Sequence, residues 1–401
     1  MTYVGYAVLA LLLAYLGLPL ASWLMTLSKA FLRRTSSGVR MHDEEAEDVP
    51  VALLFLVPAH NEEKVIERCV RSLLDQDYPR AMLSIVVIAD NCDDETEHIV
   101  RGLGAECLVR VDPGHPGKPR AIAWALGELG DLSRWEACVI IDADSEVAPD
   151  FAKALASSAP LGNRVLQAYY GISNSGDSWL TRLARLLGRA RYEVEYPLKS
   201  RAKLNCPLTG NGMCIGSEIL GRHGWTAFSL TENWELYAEY TARGIRIDLA
   251  DGARLYALES QSLSSSRTRR SRWLRGRLHV LRAYWDPICR SRQIGWHQKL
   301  DAVAELAAMP PTVHAGVALA GAAGLFSVGS ASISNWLGAG LLLTLLPLAS
   351  SSIIALARDP EPGKAVAALL RLPFYAIWRA ALLIETLIFH RDSVWKKTER
   401  G

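Results

Sequence analysis

The stretch ACVIIDADSEVAPDF, residues 137–151, decides how this chain folds. Its first half is a run of apolar, largely β-branched residues, the pattern of a strand buried on both faces. The run closes on two carboxylates one residue apart, Asp142 and Asp144. Alternate side chains of an extended segment point the same way, so both can turn into one pocket at the strand exit. There they offer hard oxygen ligands to a divalent cation that a diphosphate would share. Acidic strand ends are also commonly no more than solvated, so the pair gains meaning only from its neighbours.

Working outward, short apolar runs alternate with helical stretches. VALLFLV (51–57) precedes a helix expected over 62–75, and SIVVIAD (84–90) precedes one after Asp94. CLVRV (107–111) precedes one beginning near Lys118, and ACVIIDAD (137–144) follows. Strands alternating with helices of this length predict a mostly parallel α/β sheet flanked by helices, which binds ligands beyond the carboxyl ends of its strands. The polar clusters fall at those ends: HNEE at 60–63, DNCDD at 90–94 and DAD at 142–144. So many carboxylates at one sheet edge repel each other unless a cation relieves them. Asp90 is expected to bind a ligand, while Asp93 and Asp94 suit the start of the following helix.

Half of the residues are apolar and only 21% are charged, which is unusual for a soluble enzyme. The charge is unevenly placed. Residues 1–28 and 306–357 contain no Asp, Glu, Lys or Arg. The stretch Tyr3–Leu27 exceeds the roughly 20 residues a membrane span needs, and Lys29, Arg33, Arg34 and Arg40 after it place the following domain in the cytosol. A cleaved signal peptide would carry its basic residues before the apolar run. The run 306–357 is long enough for a hairpin of two spans, broken near SASISN (330–335). Arg371, Arg379 and Glu385 interrupt 366–389, which favours an interfacial or partly inserted helix, and the basic tail VWKKTER is expected in the cytosol. Three crossings result.

The net charge of +2 is too balanced for an extended nucleic-acid-binding surface, so no nucleic acid is expected as a partner. Seven cysteines without a CxxC pair read as reduced core thiols.

VPAHNEE (57–63), IADNCDDET (88–96), GKPRAIAWAL (117–126), VIIDADSEV (139–147), PLTGNGM (207–213), LTENWEL (230–236) and RRSRWLRGR (269–277) follow in this order between apolar flanks. The set resembles the membrane-bound family 2 glycosyltransferases of GT-A fold, which include the cellulose, chitin and hyaluronan synthases. The resemblance implies a nucleotide-sugar donor, a UDP-sugar first among them, and Mg²⁺ or Mn²⁺. It assigns Pro58, Ala59, Asn61 and Glu62 to the nucleotide pocket, Asp90 to the base or ribose, and Lys118 to the neighbourhood of the diphosphate. Asp142 and Asp144 would hold donor and metal, and Gly210, Asn211 and Gly212 would approach the acceptor or sugar.

Two departures matter. Inverting transfer needs a general base for the acceptor hydroxyl, and the family supplies it as the Asp of a TED motif. This chain has Thr231, Glu232 and Asn233, and an amide cannot act as that base. Glu232 becomes the first candidate, with Asn233 orienting the acceptor, and Glu235 one turn on is the second. The QxxRW signature of processive synthases appears as Arg269 to Trp273, with Arg in place of Gln. Arg272 would pair with the leaving diphosphate and Trp273 would stack on an acceptor sugar. The same basic stretch would also suit anionic lipid.

The expected organisation is an N-terminal transmembrane helix (1–30), a linker (31–49) and a cytosolic GT-A domain (50–280). An interfacial helical segment (281–305), a transmembrane hairpin (306–357), and an interfacial helix with its tail (358–401) complete it. The expected activity is metal-dependent transfer of a hexosyl or N-acetylhexosaminyl group to a lipid-linked or membrane-proximal saccharide at the cytosolic face of the cell membrane. A processive polysaccharide synthase and a catalytically silent nucleotide-binding membrane protein stand as alternatives.

Overall fold

The computed structural model describes residues 3–36, 50–327 and 332–388. Arg40, residues 330 and 331 of the expected break, and the tail from 389 lie outside the described residues. The chain forms two compact units, an α/β unit from 50–175 and 205–260, and a helical unit that gathers 3–36, 176–204 and the segments after 261. The single domain expected over 50–280 is therefore divided differently. Residues 176–204 and 261–280 are helical and group with the apolar helices.

The α/β unit holds an eight-stranded sheet, with β1 Leu53–Ala59, β2 Leu83–Asp90, β3 Glu106–Arg110, β4 Ala137–Ile140, β5 Ser145–Val147, β6 Val165–Ile172, β7 Met213–Gly216 and β8 Ile247–Ala257. The strand order is β3-β2-β1-β4-β7-β6-β8-β5. The half β3-β2-β1-β4 is parallel throughout, and β6–β8 is parallel as well. Antiparallel pairs join β4 to β7, β7 to β6 and β8 to β5. Leu53 to Val57 are fully buried on both faces of β1, as a central parallel strand requires. The helix Ile66–Leu74 covers one face with Ile66, Cys69, Val70 and Leu73, an i, i+3, i+4, i+7 stripe. Phe151, from the helix after β5, packs against Phe55 with ring centroids 6.2 Å apart.

Strand exits carry the site because the chain turns sharply there. Asn61 after β1 and Asn91 after β2 both adopt the left-handed conformation, at φ 55° and 52°, which asparagine tolerates better than most residues. All seven cysteines are free thiols, five of them buried, in keeping with their reading as core residues.

In the helical unit, the helix Tyr3–Ser36 includes Val8–Arg33, which is long and apolar enough to cross a membrane. Three bent pairs also qualify if each counts as one span: Trp296–Ala307 with Pro311–Ser327, Ile333–Leu343 with Leu346–Ala357, and Pro362–Leu369 with Leu372–Ile388. By length and composition the described residues thus hold one span, or up to four. The second helix of each pair carries a proline in its first turn, Pro311, Pro347 or Pro373, which fits a helix start and bars continuation from the helix before. The helix Pro311–Ser327 packs on Ser332–Leu343 through small residues. A Cβ on Gly338 would meet the Phe326 ring at 2.9 Å, and one on Gly321 would meet Leu341 at 2.9 Å.

Polar groups far apart in sequence meet inside this unit. Lys199 Nζ lies 2.8 and 2.9 Å from the two carboxylate oxygens of fully buried Asp301 and 3.1 Å from Glu305. The Ser22 hydroxyl donates to Asp301 at 2.7 Å, tying the N-terminal helix to the same carboxylate. Arg191 pairs with Glu305 at 3.3 Å. Removing the ammonium leaves Asp301 buried with only the hydroxyl. Lys199→Met is expected to destabilise the detergent-solubilised protein by about 3–5 kcal/mol, as for a broken buried pair, and to lower its unfolding midpoint, while Lys199→Arg keeps most of the stability.

Candidate active site

The parallel half of the sheet delivers its strand exits to one edge, and a carboxylate stands at each of two. Asp90, the last residue of β2, is buried. Strand register sets it beside Arg110 of β3, whose Nη1 donates to it at 2.6 Å. The Gly117 N–H donates to its second oxygen at 3.2 Å, and Asn91 Nδ2 donates at 3.0 Å. Arg110 also reaches Asp112 at 2.6 Å. Arg110 was not among the sequence candidates, although an arginine inside the apolar run CLVRV was its signal.

The β1 and β2 exits are laced together. The Asp93 N–H donates to Asn61 Oδ1 at 2.9 Å, and Asn61 Nδ2 donates back to the Asp93 carboxylate. The Glu62 N–H donates to Thr96 Oγ1 at 2.8 Å. Asp94 accepts from the N–H groups of Thr96 and Glu63, both at 3.0 Å. Asp93 and Asp94 are thus engaged in the loops, as their position before a helix suggested. Pro58 and Ala59 end β1 in the same neighbourhood, where His60 Nδ1 sits 2.7 Å from the Asp90 carbonyl.

The turn between β4 and β5 carries the acidic pair. Burial alternates along it, with Ile141, Ala143 and Ser145 buried and Asp142 and Asp144 half-exposed, so the two carboxylates share the accessible side. Asn211 braces this turn. Its Oδ1 accepts from the Asp142 N–H at 3.1 Å, and its Nδ2 donates to Ser145 Oγ at 2.7 Å. Gln167 in turn holds the Asn211 carbonyl at 2.8 Å and the Thr209 N–H at 2.9 Å. Asn211 is buried and occupied in bracing the acidic turn, a role the sequence reading did not foresee.

Lys118 joins the pieces. It begins the helix Lys118–Leu129, and its Nζ lies 2.6 Å from Asp142 Oδ1 and 3.5 Å from Glu232 Oε1, and it also donates to the Gly210 carbonyl. Burial works against its charge, but Asp142 and then Glu232 outweigh it and hold the ammonium above the ordinary lysine range. The ammonium therefore keeps its charge at every pH below that range and loses it only in strong alkali. Lys118 is thus a paired, largely buried side chain although it stands at a helix start.

Glu232 opens the helix Glu232–Ala242 and is buried beside Gly210. Glu235 turns away, accepting the Ser229 N–H at 2.8 Å, and Asn233 Nδ2 donates to the Leu208 carbonyl at 2.8 Å. Of the two candidate carboxylates, the structure brings Glu232 to Lys118 and Asp142. Arg272 and Trp273 belong to the helical unit, on the helix Leu263–Arg290, with the Arg269 guanidinium 5.2 Å from the Trp273 ring.

Residues 50–276 match the family described as Glycosyltransferase like family 2. The chain belongs to this family. The beta-monoglucosyldiacylglycerol synthase of Trichormus variabilis is 26% identical over 269 residues, covering 63% of this chain and 54% of the relative. The N-acetylglucosaminyltransferase of Rhizobium meliloti is 32% identical over 161 residues, 37% of this chain and 36% of the relative. The match to the first spans about half of that relative's length. Mannosyltransferase PcManGT from Pyrobaculum calidifontis, in complex with GDP-Man and Mn²⁺, superposes with a TM-score of 0.54 at 18% identity, over 94% of this chain and 99% of that one. The fold is the GT-A fold that the ordered family 2 motifs implied.

Among the described residues no three His, Cys, Asp or Glu side chains cluster as a metal site. A cation at Asp142 and Asp144 would take its further ligands from a diphosphate and water, and oxygen-only ligation of this kind suits Mg²⁺ or Mn²⁺.

The glycine loop fixes this geometry. Gly212 sits at φ 70°, and a Cβ there would stand 2.5 Å from Leu255 Cδ2 and 2.8 Å from Ala168 Cβ. Gly212→Ala is therefore expected to cost about 2–4 kcal/mol, read by chemical unfolding, from left-handed strain and overpacking together. Nucleotide binding should weaken with it, because Asn211 would lose its hold on Asp142.

Proposed function

We propose that this chain is an inverting glycosyltransferase that moves a sugar from a nucleoside diphosphate donor to a lipid-linked or membrane-proximal saccharide acceptor. The observation that carries the reading is the convergence of Asp142, Lys118 and Glu232 in one cluster, with Asp144 on the same accessible side of its turn. That cluster joins the two functions such a transfer requires, stabilisation of a leaving diphosphate and removal of a hydroxyl proton.

Pro58, Ala59, Asn61 and Glu62 would wall the nucleotide, with Asp90 on its base or ribose, held in place by Arg110. Asp142 and Asp144 would hold the metal, with Lys118 on the diphosphate side. A bound Mg²⁺ or Mn²⁺ would act as a Lewis acid on the leaving diphosphate. Glu232 accepts the proton of the acceptor hydroxyl as that oxygen bonds to the anomeric carbon from the face opposite the departing diphosphate. Asn233 lies beside it in sequence, tied to Leu208, and would orient the acceptor together with Gly210 and Gly212.

A UDP-hexose or UDP-N-acetylhexosamine is the donor to test first. The relatives named for glucosyl lipid synthesis and N-acetylglucosaminyl transfer support that range. The apolar helices support a membrane-borne acceptor, and Lys29 and Arg33 at the end of the N-terminal helix favour a cytosolic α/β unit.

Glu232→Gln should lower kcat by about 10² to 10⁴ in a sugar-transfer assay while nucleotide affinity stays nearly constant, whereas Glu235→Gln should do far less. Full activity in Glu232→Gln would sink the base assignment. Asp144→Asn should abolish metal-dependent UDP binding, measured calorimetrically with and without Mn²⁺, in a protein that still folds. Unchanged UDP affinity in excess Mn²⁺ would remove Asp144 from the metal site.

A further inference from the structure

Three oxygens surround the Lys118 ammonium: Asp142 Oδ1 at 2.6 Å, the Gly210 carbonyl, and Glu232 Oε1 at 3.5 Å. A carboxylate, a carbonyl and a second carboxylate are the ligand types a hard cation selects. The ammonium occupies one of the two oxygens of Asp142, the residue that the proposed function gives to the metal. Its backbone is anchored, because the preceding Gly117 adopts φ 118° and donates its N–H to buried Asp90. The four-carbon stem beyond it is flexible, so the charge can relocate while the loop stays in place.

We propose that the Lys118 ammonium is the resident cation of the nucleotide-free site, and that a divalent metal enters by displacing it from Asp142. This inference rests on Asp142 and Asp144 being the metal ligands. A divalent cation arriving without nucleotide must compete with a positive charge already seated on Asp142. The repulsion is strong at such distances in a half-buried site. A metal arriving with a diphosphate brings the negative charge that re-accommodates the ammonium, which turns from Asp142 to the phosphate oxygens while keeping Glu232 within reach. The lysine thereby makes metal binding conditional on the donor, and it keeps Asp142 neutralised when the site is empty.

The test uses the full chain in detergent and Mn²⁺ alone as the probe, with free Mn²⁺ followed by electron paramagnetic resonance. Lys118→Met should tighten nucleotide-free Mn²⁺ binding by about tenfold or more, the effect of removing one competing charge. Lys118→Arg, which keeps the charge, should leave binding as weak as in the wild type. Should Lys118→Met not fold, Lys118→Gln carries the same expectation, because it drops the charge but keeps a donor for Gly210. Equal or weaker Mn²⁺ binding in the uncharged variants overturns the inference. If Asp144→Asn still weakens Mn²⁺ binding in the presence of UDP in that case, the metal site stands and only the resident-cation role falls. If Asp144→Asn changes Mn²⁺ binding in neither state, both fall together.

Discussion

Carboxylates crowd the edge where the parallel strands end, and they can be kept there only if positive charge is built in beside them. Asp90 receives Arg110, and Asp142 and Glu232 receive Lys118. Without these cations, desolvated like charges would repel each other and the loops holding them would not close. Much of the local structure serves that arrangement. Strand register fixes Arg110 opposite Asp90, a left-handed Gly117 presents Lys118, and two left-handed glycines bring the 210–212 backbone against the acidic turn.

The two cations differ in kind. Arg110 is buried with Asp90, held by a second carboxylate and by the His115 carbonyl, and its guanidinium fork fixes a geometry. Lys118 is a point charge on a flexible stem shared among three acceptors. One suits a permanent wall of a nucleotide pocket, and the other suits a group that changes partner when a ligand arrives. That distinction gives the sheet edge a rigid side at the β2 and β3 exits and an adaptable side at the β4 exit.

The helical unit follows the same rule with different residues. Its long apolar helices are drawn together by small residues, and by a buried ammonium shared between Asp301 and Glu305. Ser22 and His314 add polar contacts within the unit, to Asp301 and to Thr344 at 2.9 Å. Charges at 199, 301 and 305 lie outside the uncharged runs that mark the apolar helices, which is why their partnership leaves no trace in a hydropathy pattern.

The strands β1 to β4, their parallel order, the polar strand exits and the long N-terminal apolar helix were legible in the sequence. They arise from local periodicity and composition, which a linear reading captures. That Asp90, Asp142 and Asp144 stand at strand exits and Lys118 at a helix start was legible too, whereas a place for Lys118 near a diphosphate came only from the family resemblance. Tertiary structure alone decided which charges neutralise which: Arg110 on Asp90, Lys118 between Asp142 and Glu232, and Asn211 as a brace rather than an acceptor contact. It also turned Glu235 to the Ser229 amide and left Glu232 at the cluster. Two carboxylates three residues apart are equivalent in the sequence. Only the direction in which their helix meets the sheet separates them, and that direction is set by packing between segments far apart along the chain.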